Sequence, residues 1–513
     1  MLTLVSALER NVKLYGNEYA VVDKEKNFTW EEHVKRVAKL SGALQNLGLC
    51  AGDKFGIIGE NSFRYTELLH SGYWGGAIPV AINHRLAPPE IFHILEDSDC
   101  KLLALGKEFL PLIQSKELSD WKKNCVYIGP LDETIPQIQY EKIIKDSKGH
   151  RARECDEDEL ALLLYTGGTT GKSKGVQLTH KNIISNGMQI AIEMKAHEQD
   201  IYLHAAPMFH AADLLCTAFT LTGAAHAYLP VFSPRAALES IEGFKVTKTM
   251  MAPTMIIMCL TDSDFNKYDT STLKMMLYGS SPMAAEWVEK SIQGFNNTEI
   301  VQGYGLTECA PILTFLDWKT HKNAVETGDI EVLRSAGRAI VGLDLKITGC
   351  NGEELTLGEV GEVTVRGPQV SIGYLNRPEE NKQSFKEGWF YTGDVGRMDE
   401  NGIIYLLDRK KDMIVSGGEN IYTSEVEAVL YQHPDIQECA VVGIPDEKFG
   451  EALFAAIVVS SGKTLNQTDV IKHCRDKIGG FKIPRQMDFV KEMPKSAMGK
   501  ILKNELRRIY GSK

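Results

Sequence analysis

The chain has 513 residues, 43% hydrophobic and 24% charged, and its 57 Lys and Arg against 68 Asp and Glu leave a formal charge of −11. That length exceeds a single hydrophobic core, so several domains are expected, and the acidic balance argues against a surface built to coat nucleic acid. No run of about 18 apolar residues predicts a spanning helix.

The first residues, Met1-Leu2-Thr3-Leu4-Val5-Ser6-Ala7, lack the charged and apolar regions of a secretion signal. The ten cysteines are scattered with no C-x-x-C pair, which indicates reduced, mostly buried thiols and a cytoplasmic setting.

In chain order, Thr29-Trp30-Glu31-Glu32 is a capping box opening a helix with Val34, Val37, Ala38, Leu40, Leu44 and Leu47 on one face. Gly48 and Gly52 stop it. Lys54-Phe55-Gly56-Ile57-Ile58 reads as a buried strand, a helix runs through Tyr65, Leu68 and Leu69, and Ile78 to Ile82 is the next strand. Pro88-Pro89-Glu90 opens a further helix and Leu102 to Leu105 is strand-like again. Alternation of this kind predicts βαβ units. Residues 107–157 are charged and weakly periodic, and read as peripheral.

The next stretch is Leu162-Leu163-Leu164-Tyr165-Thr166-Gly167-Gly168-Thr169-Thr170-Gly171-Lys172-Ser173-Lys174-Gly175-Val176. An apolar run ends in glycines, hydroxyls and lysines, a composition suited to an anion-binding nest. It is not a P-loop, since the first glycine of G-x-x-x-x-G-K-[ST] would fall on Thr166, and Val176 to Thr179 predicts a strand where a P-loop needs a helix.

Beyond it, Tyr202 to Pro207, Ala225 to Leu229, Thr249 to Pro253, Met275 to Tyr278 and Glu299 to Gln302 are strand candidates separated by helical segments. The fold class read from this is α/β: two lobes at about 1–165 and 166–329, then a small β-barrel-like unit at 330–407. Together they form an N-terminal domain of 1–407. The charged run Asp408-Arg409-Lys410-Lys411-Asp412 marks a hinge at 408–412, and 413–513 is a smaller, mobile α+β C-terminal domain.

Polar clusters stand where strands end, the place open α/β sheets build ligand sites: Tyr278-Gly279-Ser280-Ser281-Pro282, Gln302-Gly303-Tyr304-Gly305-Leu306-Thr307-Glu308 and Tyr391-Thr392-Gly393-Asp394. With the glycine loop, the hinge run, Gly417-Gly418-Glu419-Asn420-Ile421-Tyr422 and Pro494-Lys495-Ser496-Ala497-Met498-Gly499-Lys500, their order makes the chain resemble the adenylate-forming superfamily. That superfamily comprises acyl-CoA synthetases, luciferases and carrier-loading adenylation domains. The resemblance runs nearly end to end.

It implies a two-step reaction in which a carboxylate attacks the ATP α-phosphate, releasing pyrophosphate, and a thiol then displaces AMP from the acyl-AMP. ATP, Mg²⁺ and CoA are the implied cofactor and co-substrates. Thr166, Gly167, Gly168, Thr169, Thr170, Gly171, Lys172 and Lys174 would hold the pyrophosphate, and Glu308 with Thr166 the metal. Gly279, Ser280, Ser281, Gln302, Gly303, Tyr304, Gly305 and Thr307 would enclose the nucleotide, with Tyr304 stacked on adenine. Asp394 would accept from the ribose diol, and Arg409 would reach ribose or phosphate. His210, in Met208-Phe209-His210, would sit at the acyl pocket, with Ala211, Ala212, Leu214 and Leu215 as lining or as helix core.

Lys500 would bridge the carboxylate and α-phosphate, and Lys411 would be the hinge that exchanges it for Gly417, Gly418 and Glu419 in the thioester step. The loop departs from many relatives at Gly168 and Ser173, and Asn420 stands where some long-chain relatives have Trp, which puts that gate in doubt. The expected substrate is a medium- to long-chain fatty acid, with an aryl or other acid, a carrier-protein acceptor or a non-catalytic scaffold as alternatives. Peripheral membrane contact and a monomer or homodimer are compatible with this reading.

Overall fold

The structure is a computed structural model that describes residues 2–166, 173–281, 283–416, 419–446, 449–475, 477–495 and 501–511. By contact the chain divides into two units, residues 1–345 with 365–390 and residues 346–364 with 391–513.

The first unit holds two large sheets. A seven-stranded sheet runs Ile138–Gln139, Cys125–Tyr127, Cys100–Leu105, Lys54–Ile58, Ile78–Ala81, Leu160–Thr166, Lys174–Thr179, parallel except for the antiparallel last pair. Strands covered on both faces read as unbroken apolar runs. Leu162, Leu163 and Leu164 show this, at 1%, 0% and 3% exposure. The nine-stranded sheet has a parallel core of Ala225–Tyr228, Ile201–His204, Lys248–Met251, Met275–Gly279 and Glu299–Gly305. Every strand expected between residues 54 and 105 and between 201 and 305 is present.

Local chemistry sets the helix boundaries. Thr29 Oγ1 accepts from the Glu32 amide while Glu32 Oε2 accepts from the Thr29 amide, which completes the predicted capping box on Trp30–Asn46. Val34, Val37, Leu40 and Leu44 are buried, but Leu47, expected on the same face, is the C-cap and exposed, because Gly48 leaves the helix at φ 91°.

Two expectations change. The lobe boundary is crossed from the N-terminus: Tyr19–Val22 lies parallel beside Ala225–Tyr228, so the first strand of the chain belongs to the nine-stranded sheet. Local periodicity carries no information about a partner some 200 residues away. The peripheral stretch 107–157 contributes the last two strands at one side of the seven-stranded sheet, Cys125–Tyr127 and the edge strand Ile138–Gln139, with Cys125 and Val126 fully buried. Runs of two and three residues are too short to show a period.

Residues 344–409 carry the half-barrel sheet, including the antiparallel hairpin of Trp389–Met398 with Ile404–Arg409. After residue 413, Ile436–Asp446 and Gly450–Val459 form a long antiparallel pair packed by helices Thr423–Leu430 and Lys503–Tyr510. Among the described residues no helix is long and apolar enough to cross a membrane. All ten cysteines are free thiols, seven of them buried.

Burial also fixes a pH response. Desolvation holds His33 and His226 well below the usual histidine range, His70 at about 3, and His180, His210 and His321 at about 4. Above about pH 6.5 each is neutral folded or unfolded and costs nothing. Below it the unfolded chain binds protons that the folded chain refuses, so stability falls as pH drops from about 6.5 toward about 4. Each fully refused proton costs roughly 1.4 kcal/mol per pH unit. Thermal denaturation scanned from pH 7.5 to 4.5 should show a midpoint flat above pH 7 and steeply falling below pH 6; a midpoint constant down to pH 5 would contradict this.

Candidate active site

The strands flanking the glycine loop form a hairpin that puts Thr166 opposite Lys174. Gly167 to Lys172 lie outside the described residues, as do Gly417, Gly418 and Lys500. Lys174 begins a strand and not a helix, so no helix dipole serves an anion here, and the P-loop reading is excluded.

Next to this hairpin the structure assembles a cluster within the first unit. Residues 372–375 run along the edge of Lys174–Thr179, with Gln177 donating its amide to the Gly373 carbonyl and Leu375 to that of Gly175. Gly373 takes φ 118°, which only glycine adopts readily. The next residue, Tyr374, donates its hydroxyl to Glu308 Oε1 at 2.7 Å, and Lys174 Nζ lies 5.4 Å over its ring. Lys174 is also 3.7 Å from Glu380. Burial and the Glu308 carboxylate push the Tyr374 phenol well up, so it remains a donor. Glu308 is 8% exposed, and its Oε2 has no partner among the described residues.

The nucleotide residues expected on neighbouring strand ends are adjacent. Gly279 pairs with Gly303 in register, and a Cβ on Gly279 would come within 2.5 Å of the Gly303 carbonyl oxygen. Ser280 turns out of the strand at φ 69°, exposed beside Ser281. Tyr304 lies opposite Thr314, and Gly305 permits the closest approach of all, since its Cβ would sit 1.9 Å from the Pro311 oxygen. The Tyr278 hydroxyl donates to His321 Nε2 at 2.9 Å and lies 3.5 Å from Gln302 Oε1. Thr307 opens the short 3₁₀ turn that carries Glu308. Bulkier residues at 279 or 305 would force these strands apart, which is why the sequence keeps glycine between polar side chains.

In the second unit Asp394 is not a turn residue. It lies within Trp389–Met398, 5% exposed, and its Oδ1 accepts from Arg409 Nε at 2.6 Å across the hairpin. Arg409, expected to reach ribose or phosphate, is engaged by Asp394. The hinge run is well tied: the Thr423 amide and hydroxyl donate to Asp408, Lys410 pairs with Glu362 at 3.0 Å, and Arg507 pairs with Asp412 at 2.7 Å. Lys411 stands in the turn after Ile404–Arg409, and burial lowers its pKa. Glu419 is exposed and pairs with Ser416 between two antiparallel strands.

His210 lies against Phe209, ring centroids 4.3 Å apart, at the wall of a largely enclosed cavity of about 30 Å³. Its Nε2 is buried with no hydrogen-bond partner among the described residues. Leu214 also lines the cavity, whereas Leu215 is core.

Sequence reasoning missed Tyr374 and Lys174's place over it. The signal available was Gly373-Tyr374 ahead of Pro378-Glu379-Glu380, a glycine-aromatic pair before a helix start.

Residues 8–375 match the family described as AMP-binding enzyme, and residues 425–500 match the AMP-binding enzyme C-terminal domain. The chain is 34% identical over 493 residues to the feruloyl-CoA synthase of an Amycolatopsis species, covering 94% of each chain. It is 32% identical over 477 residues to the long-chain-fatty-acid–CoA ligase FadD13 of Mycobacterium tuberculosis, covering 92% of this chain and 91% of that one. Among solved structures, ATP-bound MatB from Rhodopseudomonas palustris superposes with a TM-score of 0.88 at 27% identity, over 99% of both chains.

Proposed function

The chain belongs to the AMP-binding enzyme family, and from that membership we propose that it is an ATP-dependent acid–CoA ligase whose adenylation centre gathers around Glu308. In the first step a carboxylate oxygen of the acid attacks the α-phosphorus of ATP, and pyrophosphate leaves with the electron pair of the broken P–O bond. In the second, the CoA sulfur attacks the acyl carbon and AMP leaves.

The observation that carries this reading is the Lys174–Tyr374–Glu308 cluster beside the hairpin that bears the glycine loop. Phosphoryl chemistry of this kind needs positioned charge more than acid–base groups. The donor set suits a hard cation: a carboxylate with one free oxygen, and a hydroxyl at Thr166. Glu308 and Thr166 would hold Mg²⁺, which would supply charge neutralisation at the phosphates. Thr166 to Lys172 and Lys174 cradle the pyrophosphate. Gly279 to Ser281 and Gln302 to Thr307 line the base, and Asp394 receives the ribose hydroxyls with Arg409 fixing its carboxylate. Lys500 screens the two anions, and rotation at Lys411 brings Gly417, Gly418 and Glu419 to the thiol. Ten free cysteines fit work in a reducing cytoplasm.

The acid is the open term. Feruloyl-CoA synthase and FadD13 differ in the acids their names specify, one aromatic and one a long alkyl chain. Pyrophosphate release should be screened over aromatic and alkyl carboxylic acids with and without CoA. Release with conversion of CoA to a thioester is expected; release without thioester would mean a carrier-protein acceptor, and no release with any acid would end the reading.

A further inference from the structure

Between helices Trp30–Asn46 and Phe63–Gly75 lies a polar network that the adenylation centre does not use. Each helix contributes two residues three apart, His33 with Arg36 and Glu67 with His70, so each pair shares a face. Arg36 donates to both Glu67 oxygens, Nε to Oε1 at 2.7 Å and Nη2 to Oε2 at 3.0 Å, and the Tyr140 hydroxyl donates to Glu67 as well. Glu67 is fully buried; burial pushes its pKa up, and the Arg36 fork and the Tyr140 hydroxyl oppose that shift by favouring the carboxylate. His33 Nδ1 faces Glu67 Oε1 at 4.0 Å and has no other partner among the described residues.

The carboxylate fixes the proton positions along this line. A fixed anion favours the proton on His33 Nδ1, which makes His33 Nε2 an acceptor. His70 Nδ1, 2.9 Å from it, must then be the donor. His70 is left with Nε2 as a lone-pair acceptor, and burial keeps the ring neutral. His70 lines the cavity of about 30 Å³ that Met208 and His210 also line, and its Nε2 has no protein partner among the described residues.

Of the other polar groups of that lining, His210 Nε2 also lacks a partner among the described residues, whereas Thr220, His226 and Asp213 are joined in one chain through His204. Thr220 donates its hydroxyl to His226 Nε2, His226 Nδ1 donates to His204 Nε2, and His204 Nδ1 donates to Asp213. That chain is closed at both ends. An acceptor that faces an enclosed cavity is satisfied by a donor from water or from a ligand that displaces it, and a hydroxyl group supplies such a donor.

We propose that His70, its tautomer set by Glu67 through His33, is the specificity-determining acceptor for a hydroxyl at the far end of the substrate acid. The inference rests on the ligase reading above, which makes the cavity behind His210 the distal end of the acyl pocket. The volume suits one or two water-sized groups, so the hydroxyl-bearing tip of an acid enters it and a plain alkyl chain leaves the acceptor unpaired. Selectivity of this kind comes from the unpaired group left by the wrong substrate.

Two matched pairs of acids test it, 4-hydroxycinnamate with cinnamate and 10-hydroxydecanoate with decanoate. Each is measured as kcat/KM for pyrophosphate release in the wild-type enzyme, in His70→Phe and in His70→Gln. The expected result is a wild-type preference of at least about tenfold for the hydroxylated member of one pair. That preference should fall to near one in His70→Phe through a raised KM for the hydroxylated acid, and return in part in His70→Gln, whose amide oxygen accepts. Equal wild-type rates within both pairs overturn the inference whether or not the variants fold, as does a preference that His70→Phe leaves intact. Absence of release with all four acids and with the wider screen would instead overturn the ligase reading itself.

Discussion

Glu308→Gln should lower pyrophosphate release by at least about 100-fold with little change in thermal stability, the scale seen when one preorganised electrostatic group is lost. The substitution keeps size and shape, and the new amide oxygen can still accept from Tyr374 at the position now 2.7 Å from Oε1. What disappears is the negative charge on a group only 8% exposed, where no solvent replaces it. The Mg²⁺ concentration giving half-maximal activity should rise in the same variant. Tyr374→Phe is the companion: it leaves the charge and removes one hydrogen bond to it, so a loss nearer tenfold is expected. The idea fails if Glu308→Gln retains near wild-type release at saturating ATP, or if the two variants behave alike.

Lys500→Ala is expected to reduce acyl-AMP formation by on the order of 10³- to 10⁵-fold, the range of a cation that stabilises charge in phosphoryl transfer. Two anions about 4 Å apart repel by ~1 kcal/mol in water and ~4 kcal/mol at an effective dielectric of 20, so the first step needs a cation between them. The second step brings no such pair together, so thioester formation from supplied acyl-AMP should be largely spared. The described residues on either side of Lys500 pair with each other: Lys495 forms an antiparallel bridge with Ile501, and the Leu502 amide donates to the Pro494 carbonyl at 2.8 Å. Lys503 is the instructive contrast. It pairs with the half-buried Glu427 at 2.8 Å and bonds the Thr423 hydroxyl, so Lys503→Ala should lower stability more than either half-reaction. Equal loss of both half-reactions in Lys500→Ala would refute the division of labour.

The Glu308 and Asp394 sites differ in how much of them a sequence could disclose. Motif order located both residues, but Asp394 following Thr392-Gly393 has the local look of a turn. Its pairing with Arg409 depends on the hairpin register between Trp389–Met398 and Ile404–Arg409. That pair restrains Asp394 more than it stabilises the fold, since Arg409 keeps about a third of its surface in water.

The sequence by itself determined the alternation of elements, the capping box at Thr29, the strand that follows the glycine loop and the order of motifs along 513 residues. These are local properties: a period, a cap and a glycine spacing act over a few residues, and local order is what a chain displays openly. Tertiary structure alone decided that Tyr19–Val22 joins a sheet beside Ala225–Tyr228, that Tyr374 reaches Glu308, and that Glu67, His33 and His70 line up toward a cavity. Those partners lie between 31 and 205 residues apart or act through a third group, and only folding puts a carboxylate, an imidazole and a cavity within ångströms of one another.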